Sequence, residues 1–165
     1  MDNSIATESG LEFDFHLPYE RADKPICFGL KAVDFIVEGN ESLYFIEVKN
    51  FEHPDTPEEN RRHDYKMLTE NNSSFPREMG VKIKDSLLRQ YALGKYFPKD
   101  IIFMLIIKLS SFTGYEREKL FRRFDGHIPT GLNDSKYKAF SNISFEMPRI
   151  EELKSKYGFD VRIKP

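Results

Sequence analysis

The sequence predicts a single α/β domain with a mixed central sheet flanked by helices. Two β-rich runs, residues 27–37 and 43–50, flank a Gly-Asn pair and indicate a hairpin. A helical pattern over residues 81–96 precedes a wholly apolar run, residues 101–107. A strand, a crossover that contains a helix, and an apolar strand are the parts of a parallel pair, so the sheet is expected to be mixed.

The remaining elements follow from local patterns. Residues 11–17 alternate between apolar and polar side chains, as in a half-buried strand, and residues 19–24 read as a polar connector. We expect residues 1–10 to be a flexible end and residues 11–165 to form one domain. The other expected elements are an exposed helix at 58–70, a charged helix at 115–124, a loop at 126–141, a helix from Pro148 to about 157 and an edge strand at 159–163.

Composition limits the class of protein. The chain has 165 residues and a formal net charge of −2, which gives no overall electrostatic argument for a nucleic-acid partner. The charge is nevertheless split: residues 1–60 carry 14 acidic and 4 basic side chains, and residues 61–165 carry 13 and 21. Such a split is expected to place a carboxylate-rich pocket beside a basic surface.

Cysteine content and hydropathy suggest the compartment. Cys27 is the single cysteine, which excludes an intrachain disulfide framework and favours a reducing environment. The first ten residues are polar, unlike a signal peptide, and the longest apolar run, 101–107, is far shorter than the roughly 20 residues that a bilayer requires. We therefore expect a cytoplasmic protein without a membrane partner.

One face of the hairpin combines charged and apolar side chains. A turn at Gly39 and Asn40 pairs Ile36 with Leu43, and makes Asp34 and Glu47 diagonal neighbours about 5–8 Å apart. Lys49 lies on the same face. The apolar neighbours on that face are Ala32, Ile36, Leu43 and Phe45, and the other face holds Val33, Phe35, Val37, Tyr44, Ile46 and Val48. Charges among apolar groups are costly unless they pair or bind an ion.

The residue types on this face are suited to metal-assisted hydrolysis. Two carboxylates at this separation form an oxygen site for Mg²⁺ or Mn²⁺, with the Val48 carbonyl between them as a further ligand. Such an ion polarises a phosphoryl oxygen and lowers the pKa of bound water. A lysine at position 49 positions or deprotonates the attacking water, or stabilises the charge that develops on phosphorus.

The arrangement of Asp34, twelve intervening residues and then Glu47-Val48-Lys49 resembles the PD-(D/E)XK nuclease superfamily, which has the restriction-endonuclease-like fold. Its core is an antiparallel meander, a crossover helix and a parallel strand, and the elements predicted from residue 11 to about 108 follow that order. The resemblance implies that Asp34 and Glu47 bind the metal, that Lys49 is the catalytic lysine, and that the protein is a Mg²⁺-dependent endonuclease acting on DNA.

The resemblance also suggests further residues and an assembly. Val33 stands where the motif has proline, and the usual N-terminal helix with a further Glu is absent, so Glu20 in the connector is a candidate substitute. The crossover helix of this fold packs near the active face, which makes Lys84 and Gln90 candidates for contact with nucleic acid. Many members dimerise, and a homodimer is considered on that basis alone.

Other interpretations of the same residues stay open. Glu47 and Lys49 can form an ordinary ion pair on a surface hairpin, worth about 0–1 kcal/mol, and Lys84 can extend to solvent. The same fold with a degraded metal site would be a module that binds nucleic acid or protein. A third alternative is an interaction protein whose hairpin face packs against a partner.

Overall fold

A five-stranded mixed sheet and a three-stranded antiparallel sheet form the framework of the protein. The computed structural model describes residues 5–23, 29–95, 100–130 and 142–163. In these ranges the strands are β1 (Ala6–Glu8), β2 (Leu11–Asp14), β3 (Tyr19–Arg21), β4 (Phe35–Glu38), β5 (Ser42–Asn50), β6 (Asp100–Lys108), β7 (Ile143–Glu146) and β8 (Asp160–Ile163). The helices are α1 (Glu58–Thr69), α2 (Phe75–Ala92), α3 (Gly114–Arg123) and α4 (Ile150–Tyr157).

The larger sheet has the strand order β3-β4-β5-β6-β7. Its first three strands are an antiparallel meander, and β6 then runs parallel to β5 along its whole length, from Ser42 opposite Asp100 to Asn50 opposite Lys108. Both α1 and α2 lie between β5 and β6 in the chain. The predicted mixed sheet and helix-containing crossover are therefore confirmed.

The first hairpin strand is much shorter than the predicted 27–37. It covers only Phe35–Glu38, and residues 24–28, including Cys27, lie outside the described ranges. The backbone N–H of Lys31 donates to Asp85 Oδ2 at 2.9 Å, and that of Val33 donates to Ser86 Oγ at 2.9 Å. Side chains of α2 thus satisfy donors that a strand would have paired with its neighbour.

The hairpin register differs from the expected one by two residues. Val37 pairs with Tyr44, not Ser42, because the turn is wider than Gly39-Asn40 and is closed by a bond from the Gly39 N–H to the Ser42 carbonyl at 2.9 Å. Side chains alternate with a period of two, so this shift leaves every residue on its predicted face.

The N-terminal strands are arranged differently from the prediction. The expected strand at 11–17 forms over Leu11–Asp14, but it pairs with β1 and β8 in the separate sheet, in the order β1-β2-β8. Its expected place in the meander is taken by β3, within the segment expected to be a connector. Strand β1 also lies within the ten residues expected to be flexible, and β7 was not predicted.

Helix α2 begins at Phe75 and ends at Ala92, whereas the pattern indicated 81–96. Pro76 lies in its first turn, where the missing N–H costs nothing because it has no intrahelical acceptor. Leu88 and Tyr91, expected on the buried stripe, are 54% and 68% exposed. The buried face is formed by Phe75, Pro76, Met79, Gly80, Ile83, Ser86, Leu87 and Gln90.

The larger sheet is the central layer of the protein. One face, with Ile36, Phe45 and Phe103, packs against α1, α2 and α3, and the opposite face packs against β1, β2 and α4. None of the helices in the described ranges has the length and apolar character needed to cross a bilayer.

Candidate functional site

The hairpin brings Asp34, Glu47 and Lys49 together, as predicted. Asp34 is 7% exposed and Glu47 is 0% exposed. Lys49 Nζ lies 2.7 Å from Glu47 Oε1, and the Val48 N–H donates to Asp34 Oδ2 at 2.7 Å. The observed register explains why the two carboxylates are close. Phe35 pairs with Ile46, and the same pairing continued by one residue places Asp34 directly opposite Glu47. Val48 thus contributes its N–H to the site, whereas its carbonyl was the predicted ligand.

A second lysine reaches the same carboxylate from the crossover helix. Lys82 Nζ donates to Glu47 Oε1 at 2.6 Å. The sequence interpretation named Lys84 as a candidate contact to nucleic acid. Lys84 is exposed, and that contact stays a prediction; it lies on a different face of the helix from Lys82, since residues two positions apart do not share a face. Lys82 precedes the buried Ile83, and the misplaced apolar stripe of α2 hid its orientation.

Polar side chains hold α2 against the site. Ser86 Oγ accepts the Val33 N–H and donates to the Lys82 carbonyl at 2.7 Å. Asp85 accepts the Lys31 N–H. These bonds fix the backbone that leads into Asp34 and place the Lys82 side chain over Glu47.

The pKa of Asp34 is set by its burial and its charged neighbours. Burial, together with the negative charge of Glu47, raises the pKa of Asp34 to about 7, although the Val48 N–H and the charge of Lys82 oppose the shift. Burial lowers the pKa of Lys49, but the charge and hydrogen bond of Glu47 outweigh it and the net pKa is raised. Lys49 is therefore held as an ammonium beside Glu47.

Two further carboxylates border Asp34 and were not predicted. Glu8, Asp23 and Asp34 each offer one oxygen, and these oxygens lie within 4.8 Å of one another. Arg21 donates to Glu8 and, through Nε, to Asp23 at 3.2 Å. The sequence patterns did not predict this cluster. Glu8 lies in β1 and Asp23 follows β3, and these segments are brought together only by the packing of the two sheets.

Glu20 and Gln90 contact each other at the end of α2. Gln90 is 2% exposed and its amide donates to Glu20, which also accepts from Lys95 at 2.6 Å. The amide of Gln90, expected to contact nucleic acid, thus has a partner inside the protein. The Glu20 carboxylate, expected to complete the metal site, is paired at the end of α2.

The residues present fit a divalent cation. Glu47 Oε2 is buried and, within the described part of the chain, has no hydrogen-bond partner. A buried carboxylate oxygen without a partner is unfavourable, and carboxylate oxygens are the ligands that Mg²⁺ and Mn²⁺ prefer. Glu47 Oε2 and the carboxylate of Asp34 are therefore the groups suited to hold such an ion.

Comparisons with protein-family models, with curated proteins and with solved structures found no match for this chain.

Proposed function

We propose that this protein is a metal-dependent nuclease that hydrolyses phosphodiester bonds, with DNA as the favoured substrate. The observation that carries the proposal is the buried Glu47 carboxylate, which has Lys49 on one oxygen and no partner on the other within the described residues. Asp34 beside it supplies a second oxygen donor. This is the set of groups that the sequence motif led us to expect.

The order of the larger sheet supports the proposal. An antiparallel meander, a helical crossover and a parallel strand follow one another from β3 to β6. The restriction-endonuclease-like fold has this order, and we propose it as the fold of this domain. The predicted site lies on the hairpin of that meander, facing α2.

Each residue of the site has a proposed role. Asp34 and Glu47 hold a Mg²⁺ or Mn²⁺ ion, which when bound polarises a phosphoryl oxygen and lowers the pKa of water. The Lys49 ammonium orients the water and stabilises negative charge on the phosphate. The Val48 N–H keeps the Asp34 carboxylate in position at 2.7 Å.

Charge distribution supports a nucleic-acid substrate. The carboxylates of the site belong to the acidic N-terminal 60 residues, and the remaining 105 residues carry 21 basic and 13 acidic side chains. Phosphate contacts are the sequence-independent part of nucleic-acid affinity. We propose that basic groups of the second part of the chain bind the phosphate backbone beside the site.

A cleavage assay tests the proposal. Single-stranded, nicked and branched DNA and RNA are incubated with the protein and Mg²⁺ or Mn²⁺. We expect cleavage that EDTA abolishes and that Glu47→Gln or Lys49→Ala reduces by at least about 100-fold. Asp55→Asn, at a side chain that is 91% exposed, is the control and should retain cleavage.

Metal-dependent cleavage that survives both Glu47→Gln and Lys49→Ala would contradict the assignment of the site. The alternative is a binding module of the same fold without catalysis. It is favoured by one observation, namely that two lysines already neutralise the bonded oxygen of Glu47. Binding of nucleic acid without cleavage and without binding of Mn²⁺ would establish that alternative.

A further inference from the structure

Glu47 Oε1 is shared by two ammonium groups. Lys49 Nζ lies 2.7 Å from this oxygen and Lys82 Nζ lies 2.6 Å from it, while Glu47 Oε2 has no partner in the described part of the chain. The carboxylate is 0% exposed. A single catalytic lysine accounts for Lys49 and leaves Lys82 unexplained.

The four charged groups at Glu47 are balanced without an ion, because Asp34 and Glu47 carry two negative charges when ionised, and Lys49 and Lys82 carry two positive charges. Glu8, Asp23 and Arg21 beside Asp34 add one net negative charge. A divalent cation beside Glu47 would have two ammonium groups as near neighbours, and like charges at such distances repel strongly where water is excluded. Withdrawal of one ammonium group from Glu47 would relieve this repulsion when the cation binds at Oε2.

The two lysines differ in where they are attached, and both have a route to solvent, because the side chain of Lys49 is 30% exposed and that of Lys82 is 21% exposed. Lys49 is on the same strand and face as Glu47, two residues further along, and the proposed function keeps it beside the metal. Lys82 reaches Glu47 from α2 and has no role in that proposal, so it is the lysine that is free to withdraw. Ser86 fixes the helix itself through the Val33 N–H, so only the lysine side chain needs to move.

We propose that Lys82 is the resident counter-ion of Glu47 and that a divalent cation displaces it. The inference rests on the proposed function, because it concerns the same metal site. In the cation-free protein Lys82 is a positioning residue that holds the buried carboxylate in place. Cation binding and the Lys82–Glu47 ion pair exclude each other, so this lysine sets the cation affinity of the site.

Calorimetric titration of Mn²⁺ into the full chain at pH 8 tests the inference. Removal of the competing charge in Lys82→Met is expected to tighten Mn²⁺ binding by about tenfold, within the range typical of coupled equilibria. Lys82→Arg keeps the positive charge and should retain the wild-type affinity. Lys84→Met, two residues away on the exposed side of α2, should also leave it unchanged.

The outcomes separate this inference from the proposed function. Unchanged or weaker Mn²⁺ binding by Lys82→Met, with clear binding by the wild type, would overturn the role of Lys82 and leave the metal site standing. Absence of Mn²⁺ binding by the wild type would overturn the metal site itself. Circular dichroism checks that each variant is folded. If Lys82→Met does not fold, Lys82→Gln, which keeps a polar side chain without charge, takes its place in the measurement of Mn²⁺ affinity.

Discussion

Glu47 is a fully buried carboxylate whose two oxygens have different surroundings. One oxygen accepts from two lysines, and the other has no partner within the described residues. Ion pairs of this kind add little net stability, because desolvation offsets the attraction, whereas a missing partner costs several kcal/mol. The half-satisfied carboxylate therefore points to a role in binding, and a purely structural ion pair would leave the free oxygen unexplained.

Glu52 provides a pH-dependent contribution to stability away from the site. Burial raises its pKa, but hydrogen bonds from Lys108 and from the Ser110 N–H outweigh burial and lower the pKa to about 2, from an ordinary 4.5. The folded state therefore favours the carboxylate. Its contribution is complete above pH 4.5 and is lost as the pH falls towards 2.

We expect Glu52→Gln to lower the free energy of unfolding by about 1–2 kcal/mol at pH 7, since the side chain is partly exposed and solvent screens the pairs. The difference from the wild type should shrink steadily below pH 4.5 and be largely lost at pH 2. Urea unfolding from pH 2 to 7 measures it, with Glu41→Gln in the exposed turn as the control. A difference that persists undiminished to pH 2 would refute the linkage.

The site was partly predictable residue by residue. Asp34, Glu47 and Lys49 were found because alternation along a strand places them on one face whatever the register, so an error of two residues did no harm. Lys82 was missed because its direction depends on which stripe of α2 is buried. That stripe is determined by tertiary contacts, and the exposed Leu88 and Tyr91 made the wrong stripe look apolar.

Among the elements, α2 connects the fold to the site. It closes the crossover between β5 and β6, buries an apolar face under the larger sheet, and carries Lys82 and Ser86 to the hairpin. At Gly80 the helix packs closely against the backbone of His127, and a Cβ added to Gly80 would lie 2.5 Å from the His127 backbone oxygen. A backbone atom at that distance cannot move aside easily.

We expect Gly80→Ala to destabilise the protein by about 1–3 kcal/mol, because the clash outweighs the gain of about 1 kcal/mol in helix propensity. Gly114→Ala in the first turn of α3 is the matched control. An added Cβ there meets only the end of the Arg149 side chain at 3.4 Å, so stability should change by less than about 0.5 kcal/mol. Equal midpoints of urea unfolding for both variants would show that the contact with His127 is not tight.

At the scale of the whole molecule, the larger sheet is covered on both faces. Helices α1 to α3 cover one face, and the smaller sheet with α4 covers the other. The sequence predicted the centre of the larger sheet, namely the hairpin and the parallel β6, because these elements have strong local signals, whereas its outer strands β3 and β7 were not predicted. The smaller sheet joins residues 11–14 to residues 160–163, and no local pattern specifies a pairing across such a separation.

This arrangement also brings Glu8 of β1 to Asp34, so the surroundings of the site depend on both sheets. The basic surface expected to border the carboxylate pocket stays a prediction, and the structure shows one contact between the two parts of the chain inside the site. Asp34 and Glu47 belong to the acidic part of the chain, whereas Lys82 belongs to the basic part. Tertiary packing brings the two parts into contact.

Asp34 and Glu47 are proposed to bind one divalent cation together, and anomalous diffraction from a crystal of the protein soaked in Mn²⁺ tests this binding. We expect an anomalous peak in contact with both carboxylates, absent from crystals of Glu47→Gln soaked in the same way. A wild-type crystal with no peak there, in which Lys49 and Lys82 both remained on Glu47 Oε1, would rule the metal site out.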